Sequence, residues 1–369
     1  MTTQTVKLGE VCEINRASIG KDYAFDSIEY LDTSSVTSGT FSETEHLNLA
    51  DAPSRAKRIV QNNDIVISTV RPNLRHFGII QNAKPNMVVS TGFAVLTIDE
   101  SKADYSYIYY LLTKDDIVDY LSAVADQAVS TYPAFNPSVL VNLDLSLPPL
   151  PEQQRVAGIL GSLDEKIENN RTLVRTTEAL ARTIFKKHIA ANEENKGWET
   201  VKLGDVCEVF IGGDAHKYDI VKQSDKTHNV PVFSNGIVNE GLYGYTKNAE
   251  VKAGSVTVSA RGTVGFIKLR DTDFVPIVRL IAVIPKEDDV SGYFLEAVLQ
   301  KETINASGSS QQQITAPMIK NLRIKLPPAA VLQSFDAVVE PLFAEIGFLT
   351  RENQTLAATR DKLLRKLIK

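Results

Sequence analysis

Cysteine is scarce in this chain, with two in 369 residues. That excludes a disulfide scaffold and points to a reducing compartment, with Cys12 and Cys207 as small core residues. No run approaches 18 apolar residues and the start, MTTQTVKLGE, lacks the apolar core of a signal peptide, so the expectation is a cytoplasmic protein. A basic excess is also missing. The net charge is −5, so any surface for a polyanion must be local. Five histidines at 46, 76, 188, 216 and 228 show no metal-ligand spacing, and His216 and His228 read as solvated. Catalytic signatures are missing as well. Both Pro-Pro pairs sit in Leu-Pro-Pro, so no Asn/Asp-Pro-Pro-Tyr/Phe segment exists to hold a flipped adenine. There is no glycine-rich cofactor loop after a strand and no phosphate-binding Gly-x-x-x-x-Gly-Lys-Ser/Thr. Glu100-Ser101-Lys102 and Glu194-Asn195-Lys196 match the tail of a nuclease motif whose preceding Pro-Asp is absent.

What is present is periodicity. From Leu147 to Ile189, apolar or small residues recur at Val156, Leu160, Leu163, Ile167, Asn170, Val174, Thr177, Ala181 and Ile184. The alternating steps of four and three form a heptad seam and predict one long helix that packs along another. Leu147-Pro148-Pro149-Leu150-Pro151 stops the preceding element. Pro151 suits the first helical turn and Glu152 the positive end of the dipole. A second such stretch opens at Leu326-Pro327-Pro328 and ends at Ile368. Its seam is Phe335, Val339, Leu342, Ile346, Leu349, Asn353, Leu356, Arg360 and Leu363. Each seam holds one asparagine, Asn170 and Asn353, either a register-setting polar pair or polar residues at a wet edge.

The periodicity belongs to a larger duplication. Val6–Glu13, VKLGEVCE, recurs as Val201–Glu208, VKLGDVCE, at an offset of 195. Asp64–Ser68, leading to Arg71, is echoed by Ser255–Ser259, leading to Arg261. Phe135–Leu143 is echoed by Ile314–Leu322 at an offset of 179. The shrinking offset makes the first copy's variable part longer by 16 residues. The chain is two copies of one module, each a β-rich globular part followed by a long helix. Strands are expected at Ile28–Asp32, Asp64–Thr69, Phe77–Ile80 and Phe93–Ile98, and at Val230–Phe233, Ser255–Ser259, Val264–Leu269 and Leu280–Ile284. Helices are expected at Ser106–Thr113, extending toward Leu121, and at Tyr293–Gln300. Polar Ala191–Gly197 is the linker. The fold class is α+β: recognition parts at 1–148 and 192–326, and long helices at 149–191 and 327–369. Antiparallel pairing of the two helices would give a coiled coil with pseudo-two-fold symmetry. A helix from Glu152 to Ile189 would be about 57 Å long. Such a ruler suits two half-sites on duplex DNA.

The repeat, the LPPLPEQQ segment at Leu147–Gln154, the VKLGEV and VKLGDV starts, and Ser259-Ala260-Arg261-Gly262-Thr263-Val264-Gly265 together resemble the specificity subunit of type I restriction–modification systems. The resemblance covers essentially the whole chain. It implies that each globular part reads one half of a bipartite double-stranded DNA target. It also implies that the helices space the halves and bind two modification subunits, which are adenine methyltransferases, with ATP-driven restriction subunits acting through them. The subunit itself would have no catalysis and no cofactor. S-adenosylmethionine, ATP and Mg2+ would belong to its partners. The partner contact falls on Pro151, Glu152, Gln153, Gln154 and Arg155. The second helix departs here, since Leu326–Gln333, LPPAAVLQ, keeps one glutamine and loses the Glu-Gln-Gln run.

Candidate DNA contacts follow from residue chemistry. Arg71, Asn73 and Arg75 follow a strand in one loop, and Ser259 and Arg261 follow the matching strand. Arginine reads guanine edges and loops on a β scaffold carry readers, against the alternative of solvated or structural arginines. Arg55, Lys57 and Arg58 form a basic cluster suited to phosphates. Gln311, Gln312 and Gln313 could bond adenine edges or phosphates, or their own backbone; the counterpart, Ser130–Ala134, lacks glutamine, and Tyr132 there is either a base-stacking or a packed ring. Asn235, in Ser234-Asn235-Gly236, reads as a turn first and a base contact second. The runner-up function is a non-catalytic scaffold, two modules on a coiled-coil bar joining other proteins. The negative net charge leans toward it.

Overall fold

A computed structural model of the chain describes residues 3–127, 132–192, 197–286, 290–306 and 313–368. Two compact units emerge: residues 1–168 with 353–369, and residues 169–352. Each contains one globular part and portions of both long helices, Leu150–His188 and Ala329–Leu367.

In the first unit, one four-stranded sheet runs Cys12–Ile14, Phe93–Ile98, Ile65–Ser68, Phe77–Ile79. Its central strands read as continuous apolar runs because both faces are covered. Alternation assigns the faces. Ile65, Ile67, Ala94 and Leu96 face a core shared with the helices Tyr105–Leu112 and Asp115–Asp126. Val66, Phe93 and Val95 face a second core with Leu31, Met87 and Val89. Those three come from another four-stranded sheet, ordered Glu45–Asn48, Ser27–Leu31, Met87–Ser90, Ala56–Ile59, in which Met87–Ser90 runs parallel to Ser27–Leu31. The helix expected from Ser106 toward Leu121 is two helices, broken at Thr113–Lys114.

The second unit repeats this scheme. One sheet runs Cys207–Ile211, Ile281–Pro285, Val256–Val258, Ile267–Leu269. The other runs Leu242–Thr246, Val230–Phe233, Val275–Pro276. Ile281 and Val283 share a core with the helix Gly292–Ala306, while Ala282 turns to Phe233 and Phe274. The strand expected over Val264–Leu269 starts only at Ile267, because Ser259–Gly265 forms the hairpin turn before it, closed by Gly265 N–H donating to the Ser259 carbonyl at 2.9 Å.

The repeated VKLGEV and VKLGDV starts are too short to show a periodicity. Each makes a strand, Gln4–Lys7 or Glu199–Lys202, paired antiparallel with the strand entering a long helix, Asp144–Leu147 or Arg323–Leu326. A four-residue helix follows. Gly9 is needed there, since a Cβ would lie 2.7 Å from Val141 Cγ1. Each module thus staples its first residues to the base of its own helix.

The seam is buried or half-buried at all nine positions of each helix. In the first unit Val156, Ala157 and Leu160, at the start of the first helix, pack with Leu363, Leu364, Leu367 and Ile368, at the end of the second. In the second unit Phe185 and Ile189 pack with Leu332, Phe335 and Val339. The helices therefore run antiparallel in both units. Asn170 is only 2% exposed, which removes the wet-edge alternative for it, and its Nδ2 donates to Glu352 Oε2 at 2.6 Å. The second helix continues through Pro341, where Ala337 and Pro341 are both exposed, so the carbonyl that loses its N–H partner faces water. Both cysteines are free and buried, and burial pushes their thiols up to about 12.

Candidate nucleic-acid interface

In the first module the strand Ile65–Ser68 delivers its reader loop. Thr69 N–H donates to the Gly92 carbonyl at 2.8 Å, Phe135 N–H to Thr69 at 3.0 Å and Arg71 N–H to Pro133 at 2.9 Å. Held this way, Arg71 adopts a left-handed backbone (φ 48°), as does Arg75 (φ 56°), on either side of the turn Pro72–Leu74. Such conformations cost a non-glycine residue on the order of 1–3 kcal/mol and cluster at functional sites. Arg71 is exposed, with its guanidinium 5.3 Å from the ring centroid of Tyr132, which is 58% exposed. Arg71, Pro72, Asn73 and Pro133 line an open cleft with Ser122 and Asp126. Exposed Asn73 sits at the tip of the turn. Arg75 instead turns to Asp115 at 2.6 Å, at the start of a helix. In the basic cluster, Arg55 is held by Asp32 at 2.8 Å and Tyr30 Oη at 3.2 Å. Lys57 is exposed, and Arg58 is half-buried, its Nε without a hydrogen-bond partner among the described residues.

In the second module Arg261 is exposed and makes no hydrogen bond or ion pair among the described residues. Ser259, at 1% exposure, lies beneath the loop rather than on it. Asn235 is a clamp. Its Oδ1 accepts from Ala260 N–H at 2.8 Å and its Nδ2 donates to the Val278 carbonyl at 2.6 Å. Gln313 is exposed, while Gln311 and Gln312 lie outside the described residues, as do Ser130 and Thr131 and most of the expected linker.

A partly buried ionic cluster lies in the second module, and sequence reading missed it. Lys268 Nζ lies 2.8 Å from both Glu178 Oε1, on the first long helix, and Glu240 Oε1, in the loop before Leu242–Thr246. Burial opposes its charge, but the two carboxylates outweigh that and raise its pKa. Arg270, 4% exposed, donates to Thr257 Oγ1 and the Glu240 carbonyl, each at 2.9 Å, and stacks 3.7 Å over the Phe233 ring. Burial lowers its pKa to about 10. Glu296 is buried, which raises its pKa, and accepts from Leu269 N–H at 2.9 Å. The available signal was the charged alternation Lys268, Arg270 on a strand whose other face is apolar. His228 departs from the solvated expectation. It bonds Asp219 and Asp225 at 3.1 Å each, and these carboxylates raise its pKa.

At the first helix start, Pro151 and Gln154 are exposed, and Arg155 grips Glu152 through two 2.7 Å hydrogen bonds. Gln153 is buried: its Oε1 accepts from Asp104 N–H at 3.0 Å and its Nε2 donates to the Pro148 carbonyl at 2.8 Å. It docks the helix onto its own globular part. Leu332, buried in the second core, takes that position in the second copy, so the lost Glu-Gln-Gln run replaces a polar dock with an apolar one.

The family model of the type I restriction modification DNA specificity domain matches twice, over residues 2–175 and 195–356. The chain belongs to this specificity family. Among curated relatives it is 27% identical to a putative type I specificity subunit of Mycoplasma pneumoniae, over 57% of this chain and 58% of that one. It is 21% identical to the HindI specificity subunit of Haemophilus influenzae, over 94% of each. The fold is shared with the crystal structure of a type I restriction-modification S subunit from M. genitalium, at a TM-score of 0.59 and 15% identity, covering 100% of this chain and 96% of that one. The family's match to both copies favours DNA recognition over the scaffold reading. No helix among the described residues is long and apolar enough to cross a membrane.

Proposed function

We propose that this specificity-family chain is a non-catalytic subunit that reads a bipartite target in double-stranded DNA, one half with each globular part. It directs two adenine methyltransferase subunits, and ATP-dependent restriction subunits through them, to that target in the cytoplasm. The reading is carried by one repeated feature: at the end of equivalent central strands, each module displays an exposed arginine, Arg71 or Arg261, on a loop tied to its scaffold by backbone hydrogen bonds. Phosphate contacts from residues such as Lys57 position the duplex, and base-edge contacts from Arg71, Asn73 and Arg261 specify it. With a net charge of −5, much of the phosphate attraction falls to the partners. The two long helices set the gap between half-sites. Their surfaces support partner docking as well, since Leu173, Leu180 and Phe348 are exposed, and apolar side chains on a helix face seek cover. Exposed Pro151, Gln154 and Arg155 at the first helix start are available to the same partners. S-adenosylmethionine, ATP and Mg2+ serve the partner subunits, and the partner flips the adenine it methylates.

The test is a methylome. The chain is expressed with its modification subunit and N6-methyladenine is mapped genome-wide. Two short sequences around a fixed gap are expected. A folded, associated complex that yields no bipartite motif overturns the reading.

A further inference from the structure

Ile277, Val278, Arg279 and Leu280 connect the strands Val275–Pro276 and Ile281–Pro285. Val278 (φ 53°) and Arg279 (φ 62°) are successive left-handed, non-glycine residues. For β-branched Val278 this backbone is a genuine outlier, which persists only where the surroundings impose it. They do so here. Val278 N–H donates to the Gly213 carbonyl at 2.8 Å and Arg279 N–H to Gly212 at 3.1 Å. Asn235 Nδ2 donates to the Val278 carbonyl at 2.6 Å. Gly212 must be glycine for this approach, since a Cβ would fall 2.6 Å from the Pro276 carbonyl.

The strained turn spends its side chains outward. Val278 is 49% exposed. Arg279 is exposed and makes no hydrogen bond or ion pair among the described residues. The Asn235 amide that holds Val278 also holds Ala260, so the turn bearing Arg279 and the loop bearing Arg261 are fixed to one side chain. The first copy has no such arginine. Strand register places Ala94 opposite Ile67 and Ile281 opposite the equivalent Val258, which makes Thr91-Gly92 the counterpart of Val278-Arg279.

We infer that Arg279 is a specificity-determining residue of the second module, donating its guanidinium fork to a guanine edge beside the base that Arg261 meets, with Val278 supplying apolar surface of the kind a thymine methyl takes. This rests on the DNA-reading function proposed above. A planar guanidinium fork is the group that reads guanine O6 and N7 together, and a turn locked from three sides fixes the backbone from which Arg279 reaches.

The test maps methylation by the assembled complex carrying wild-type chain, Arg279→Ala or Arg279→Lys. The wild type should give a bipartite motif. Arg279→Ala should leave one half unchanged and relax one G·C position in the other by about tenfold to a hundredfold, the range a bidentate pair supports. Arg279→Lys keeps charge but not the fork and should relax the same position. A wild-type motif kept intact in Arg279→Ala, or methylation lowered equally at all sites with the motif unchanged, overturns the inference; the latter would mark a contact with a partner subunit. Absence of any wild-type motif overturns the parent reading instead. Should Arg279→Ala abolish methylation, the affinities of its complex and of the wild-type complex are compared on sites changed one base pair at a time in that half. Discrimination lost at one G·C position and kept at the others supports the assignment; discrimination kept at every position, or lost at every position, overturns it.

Discussion

Arginine's chemistry is the same everywhere in this chain, and its employment is not. Arg75 and Arg55 are engaged by Asp115 and Asp32, whereas Arg71 is exposed and leans on an exposed ring, with no ion pair among the described residues. Arg71→Ala should therefore relax one half of the methylated motif, while Arg75→Ala should keep the motif and cost no more than about 1 kcal/mol, as exposed ion pairs do; methylome mapping and urea unfolding separate the two. Arg270 is a different case. Removing it leaves Thr257 and the Glu240 carbonyl without their donor inside the protein. Arg270→Ala should cost about 1–3 kcal/mol, the penalty for a buried acceptor left without its donor, and Arg270→Met less, because it keeps apolar contact with Phe233. His228 supplies a pH dependence. Its folded pKa is raised by Asp219 and Asp225, so its contribution is fully present below the unfolded histidine value of about 6.5. It is lost as pH rises through the folded value. Protection of the amides from Asp219 to His228, taken relative to the base-catalysed intrinsic exchange rate at each pH, should fall over that interval, and unchanged protection would remove the histidine from the account.

Among the elements, the long helices were legible because a heptad seam is a local signal repeated across about four heptads. Their partners were only half legible. Phe185 and Phe335 meet with ring centroids 6.1 Å apart, a contact across 150 residues of sequence. Phe335→Ala should destabilise by about 3–5 kcal/mol, and Val338→Ala, on the exposed side of the same helix, by no more than about 0.5 kcal/mol, both measured by urea unfolding. Deleting seven residues from each helix keeps the seam in phase. The gap between methylated half-sites should change while both half-sites persist, and altered half-sites would end the ruler idea. The strands Gln4–Lys7 and Glu199–Lys202 escaped reading because four residues carry little periodicity and their pairing partners lie more than a hundred residues away.

At the scale of the whole chain, duplication was written in the sequence. The offsets of 195 and 179, the repeated module starts and the two seams fixed a tandem architecture and its α+β class without coordinates. The same residues carried the likeness to the specificity family, because repeats, seams and Leu-Pro-Pro breaks are properties of neighbours along the chain. Tertiary structure decided which candidates are free to act. Asn235 became a clamp, Gln153 a dock and Ser259 a buried support, while Arg279, unremarked in the sequence, stands exposed on a strained turn. Lys268 meets Glu178 across 90 residues, and Asn235 meets Val278 across 43. Whether a polar side chain is spent on the protein or left for a ligand depends on such distant partners, and a linear pattern does not contain them.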